Sequence, residues 1–142
     1  MIGTKALAVA CIALAALGVA CGRQEVSYRQ NVNPIFQKNC KICHNKEGVG
    51  CTTSGFNIEN YKTVMKGTKY GPVIVPGSSI SSSLMRMVQH ETDPSINMPK
   101  EYSVIVKDHK QVVVPSADRA RQLTPRELQL IRTWIDQGAK DN

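Results

Sequence analysis

The sequence has no second C-x-x-C and no H-x-x-x-H, although one C-x-x-C lies at Cys40 and Cys43. A structural zinc site takes four ligands, usually as two close pairs. Zinc would have to recruit Cys51, His90 or His109 from scattered positions into a Cys3His site. No βαβ pattern surrounds the cysteine pair, which argues against a thioredoxin-like dithiol. No apolar run reaches the roughly 20 residues that a membrane-spanning helix needs. Basic runs are also missing. The 18 Lys and Arg are spread out, so the net charge of +7 forms no nucleic-acid-binding stretch. That charge reads as weak steering toward acidic partners or anionic surfaces.

What is present begins at the N-terminus. Lys5 precedes a run from Ala6 to Ala20 without a charged residue, the layout of a secretory signal. "LGVACG" (17–22) closes it with small residues before Cys21. This stretch resembles the lipobox of bacterial lipoproteins, which implies Cys21 as the lipid-attachment site; Gly18 stands where Leu is usual. Ordinary cleavage after Ala20 is the alternative. The expected organisation is a signal peptide at 1–20, a lipid-anchored tether at 21–31 and one domain at 32–142. Cys11 is lost with the signal.

Along the domain, Asn33-Pro34 opens a helix that runs into Cys40. "NKEGVGCTTSG" (45–55) reads as loop. A short helix around Glu59–Lys66 stops at Gly67, and residues 69–79 are extended. A further helix spans Ser81 to His90, with Ile80, Leu84, Met87 and Val88 on its apolar face. Pro94 and Pro99 break residues 92–102. The β-branched runs 103–106 and 111–114 read as a small hairpin around 107–110. The last helix has the clearest signals: Thr124 and Glu127 form a capping box, Pro125 takes the first position, and Leu128, Ile131, Trp134 and Ile135 share one face. Short helices joined by Gly- and Pro-rich loops bury little area alone. Such a chain needs an organiser, and a large apolar cofactor would be one.

Residues 40–44 read C-x-x-C-H, the attachment pattern of haem c. One helical turn carries both thiols to the same edge of the macrocycle, with His44 over its centre. Beyond the motif, "NPIFQKNCKICH" (33–44), "SGFNIENYKTVMKGTKYGPVIVPG" (54–77), "SSLMRMV" (82–88), "NMP" (97–99) and "LTPRELQLIRTWIDQGA" (123–139) resemble the landmarks of planctomycete-type cytochromes c. The resemblance runs from about Val32 to Ala139. It implies an all-α class I fold of short helices around one haem c, held by Cys40 and Cys43, with His44 and Met98 as axial ligands. Three features depart from the pattern: Asn45-Lys46 after the histidine, the extra thiol Cys51, and a longer segment from about Lys100 to Gln122.

Among the methionines, Met65, Met85 and Met87 sit at helical positions suited to core packing. Met98 lies in an irregular loop before Pro99, which biases it toward an extended backbone. His109 belongs to a hairpin tip and is expected to be solvated.

The leading functional expectation is a one-electron carrier between membrane-associated redox partners, and no enzyme. Its implied surroundings are acidic docking surfaces, a lipid anchor on the periplasmic side of a bacterial membrane, and no nucleic acid. The alternative is a haem-based catalytic or gas-sensing domain with a displaceable sixth ligand, for which His90 is the candidate distal group. Cys51 is the thiol left over, idle or paired with Cys21 if the latter carries no lipid.

Overall fold

The computed structural model describes residues 24–142; the expected signal peptide and Cys21 lie outside them. Helical backbone starts earlier than Asn33. Ser27 is extended and its hydroxyl accepts from the Gln30 N–H, capping a π-helical turn at Tyr28–Val32. That turn runs directly into α1 (Asn33–Asn39), so Asn33 closes the π-helical turn instead of N-capping α1, and only Pro34 keeps its expected place. Residues 24–31, expected as part of a tether, are fastened to the C-terminus. Val26 N–H donates to Gln137 Oε1 at 2.8 Å, Tyr28 N–H to Asn142 Oδ1 at 2.7 Å, and Arg29 N–H to the Asn142 carbonyl at 2.9 Å.

The core lies between this N-terminal turn, α1 and α6 (Pro125–Asp136). Val32, Phe36, Ile58, Val64, Ile131, Trp134 and Ile135 are fully buried, each large side chain worth about 1.5–3 kcal/mol. Trp134 satisfies its indole N–H on the Lys140 carbonyl at 2.9 Å and packs 5.4 Å from the Tyr28 ring. Both halves of the Thr124–Glu127 capping box are made, and Gly138 ends the segment at φ 101°.

Two helices flank the cysteine motif. Residues Lys41–His44 form α2, and Val49–Ser54 form α3 where loop was expected. The glycines that read as loop chemistry serve close packing instead. A Cβ on Gly48 would lie 2.3 Å from the Cys43 carbonyl oxygen, and one on Gly50 would lie 2.8 Å from His44 Cε1. The next helix, α4 (Tyr61–Lys66), ends at Gly67 with φ 82°. The fifth, α5 (Ser83–Val88), buries Leu84, Met85 and Val88. It starts later than expected, which leaves Ile80 in the preceding turn and 87% exposed.

The all-α expectation is wrong: the fold is mixed α/β. Strands β1 (Lys100–Lys107) and β2 (Lys110–Ala120) pair antiparallel from Lys107↔Lys110 out to Lys100↔Ala120, with an irregularity between Lys100 and Tyr102. The hairpin lies where the β-branched runs put it, but the ladder continues well past them. Tertiary pairing recruits flanking residues such as Glu101 and Arg119 that carry little strand preference of their own. Asp108 and His109 take positive φ values of 51° and 61° at the tip, as two-residue hairpin turns require. No helix among the described residues is long and apolar enough to cross a membrane.

Candidate functional site

Helix α2 is a single turn. The Cys43 and His44 amides both donate to the Cys40 carbonyl, at 3.2 and 3.0 Å. Cys40, Cys43 and His44 thereby line one cavity of about 370 Å³, the size class of ligand and cofactor sites. Leu84, Met87 and Val88 of α5 contribute to its lining, followed by Met98 in the loop beyond. The middle of β2, Pro115 to Ala117, completes it.

His44 is held by one well-defined bond, Nδ1 to the Phe56 carbonyl at 3.0 Å. A carbonyl only accepts, so Nδ1 carries the proton and Nε2 keeps its lone pair. The Phe56 ring meets the imidazole edge-on at 5.4 Å. Burial lowers the His44 pKa while the Phe56 bond pushes it up, with burial the larger effect. The imidazole is therefore neutral at pH 7, the form that ligates metal. Burial also pushes the Cys40 thiol up to about 12, against the opposing charge of Arg121, and raises Cys43. Among the described residues, no group of three or more His, Cys, Asp or Glu could hold a metal ion. The zinc alternative lacks its ligands.

The remaining candidates separate cleanly. Met98 lines the cavity; its N–H donates to the Met87 carbonyl at 3.1 Å, and its carbonyl meets His90 Nε2 at 3.2 Å. Met87 also lines the cavity, whereas Met85 is buried in the core and Met65 packs against it. His90 stands outside the cavity lining, so the distal acid–base role has no geometry behind it. His109 is exposed at the ribbon tip, and Cys51 is a half-buried free thiol on α3.

Sequence reasoning missed the polar group beside Cys40. Arg121 Nη2 donates to Asn39 Oδ1 at 2.9 Å, and the buried Asn39 amide donates to Glu127 Oε1 at 3.2 Å. Glu127 was legible only as a capping residue. Burial alone would raise its pKa, but hydrogen bonds from Thr124, Asn39 and Lys38 hold the carboxyl at about 2. Only long-range contacts assemble this cluster, and local sequence carries no signal for it.

Residues 40–101 match the family model described as planctomycete cytochrome C. The match supports a planctomycete-type cytochrome c domain over these residues. Searches of curated proteins and of solved structures returned no match. A cytochrome c domain implies haem c and electron transfer. The residues present fit that group: an apolar cavity, two thiols one turn apart, a neutral imidazole with a bare Nε2, and methionine sulfur within the same lining. The match ends at 101, just after β1 begins at Lys100.

Proposed function

We propose that this is an exported, monohaem cytochrome c that carries single electrons between membrane-associated redox partners. The observation that supports it is the shared cavity of Cys40, Cys43, His44 and Met98. Haem c, when bound, supplies an iron that gains or loses one electron. Cys40 and Cys43 would hold it by thioether links. His44 would offer Nε2, kept free by the Phe56 carbonyl, and Met98 would offer its sulfur. With His44 and Met98 both committed to holding the group, it would offer no place to substrate, which favours a carrier over a catalyst. The thioether favours ferrous iron and so a raised potential.

The single C-x-x-C-H supports one haem per chain. A lipid on Cys21 would keep the domain on the periplasmic side of a bacterial membrane, and the net charge of +7 suits acidic docking surfaces. Haem staining after denaturing electrophoresis, with carbon monoxide added to the reduced protein, tests the proposal. Covalent haem and slow carbon monoxide binding are expected. Absence of covalent haem would sink the proposal, and rapid binding would favour a displaceable sixth ligand.

A further inference from the structure

The ribbon, most of which lies beyond the matched span, does more than project from the domain. The Lys100 ammonium donates to the Pro94 carbonyl at 2.7 Å and to the Ala117 carbonyl at 2.9 Å. The first bond closes the irregular loop that contains Met98 on itself. The second ties that loop to β2. Just beyond β2, Arg121 N–H donates to the Pro99 carbonyl at 2.8 Å, while its guanidinium reaches Asn39, next to Cys40. The ribbon thus links the segment bearing Met98 to the segment bearing the cysteine motif, and Pro115 to Ala117 line the cavity between these fastenings.

We infer that residues 100–121 form a strap that holds the Met98 loop against the haem cavity, with Lys100 as its positioning residue. The inference rests on the reading of Met98 as an axial ligand. Residues 89–99 have no regular ladder to fix them, and segments of that kind open locally at low cost. Besides the strap, Met98 packs against the core and is held through its backbone by bonds to Met87 and His90. Charge-assisted bonds from one ammonium to two separate carbonyls tie this loop both to itself and to β2. Their loss would let the thioether leave the iron more often.

The test uses the full, haem-loaded chain and four variants. Lys100→Met keeps the aliphatic stem and removes the ammonium; Lys100→Arg restores a cation; Lys107→Met removes a lysine from the exposed tip of the same ribbon; Met98→Ala removes the ligand. In Lys100→Met, carbon monoxide should bind the reduced protein about tenfold faster or more, the scale of one charge-assisted hydrogen bond. The sulfur-to-ferric-iron band should weaken, Lys100→Arg should recover most of both readouts, and Lys107→Met should match the parent. If Lys100→Met fails to load haem, Lys100→Gln is judged by the same criteria. Parent-like rate and band in Lys100→Met, with Met98→Ala opening the iron, would overturn the strap and leave the ligand reading standing. A band unchanged in Met98→Ala itself would overturn both.

Discussion

Met98 and Met87 share one cavity, and their backbones are joined by a hydrogen bond of 3.1 Å. Substituting each distinguishes their roles. Met98→Ala should lower the potential, abolish the sulfur-to-ferric-iron band and open the iron to carbon monoxide. Met87→Ala should cost packing of about 2–5 kcal/mol at most while sparing the band; the reverse pattern in the two spectra would transfer the ligand role to Met87. Gly50 tests another wall of the cavity, where space is already used up. A Cβ there lies 2.9 Å from the Cys43 carbonyl oxygen as well as against the His44 ring. Gly50→Ala should therefore destabilise by about 1–3 kcal/mol, measurable as a lowered Tm with a disturbed haem spectrum. Glu127 sets a pH dependence. Its folded pKa is depressed from 4.5 to about 2, so its contribution is fully present above about pH 4.5 and is lost as pH falls toward 2. Glu127→Gln should flatten that part of an acid-unfolding profile.

At the scale of elements, the ribbon divides into a root and a tip. The root is fastened through Lys100 and Arg121, whereas the tip exposes Val104, Ile105, Val106, Val112 and Val114, with Val106 74% accessible. Val112 and Val113 border a groove together with Ile42 and Val49, so one part of the ribbon faces the domain. Replacing residues 103–114 by a two-residue turn keeps the root. The expected outcome is an unchanged haem spectrum with slower electron exchange with the native partner. Equal exchange rates would show that the tip has no part in docking. Helix α6 offers a simpler case: Thr124→Ala removes a cap that also holds Glu127, and should cost about 1 kcal/mol in denaturant unfolding.

For the molecule as a whole, the decisive question is what fills the cavity. The N- and C-termini close the far side of the core through Val26, Tyr28, Gln137 and Asn142, and between α2, α5 and the ribbon the cavity wall is largely apolar and of cofactor size. Replacing both Cys40 and Cys43 by Ala should therefore leave a protein that loses haem under denaturing conditions and unfolds at much lower denaturant. A double variant that is haem-free and equally stable would show that the cofactor is not the organiser.

How much was legible depended on the range of the physics. The one-turn motif at Cys40–His44, the capping box of α6 and the β-branched hairpin all act within a few residues, so their signals lie in the sequence itself. The family resemblance was legible for the same reason, since its landmarks are short local patterns. Gly48 and Gly50 were misread as loop because the constraint on them comes from α2 packing across the turn. The all-α expectation failed because the ladder extends beyond the legible hairpin to Lys100 and Ala120, and that extension depends on a partner strand rather than on local preference. The sequence alone determined which side chains could hold a haem. Only the tertiary structure decided that Met98 and Met87, and not Met85, line the cavity, and that Lys100 reaches two carbonyls, because both depend on chain segments distant in sequence meeting at one wall.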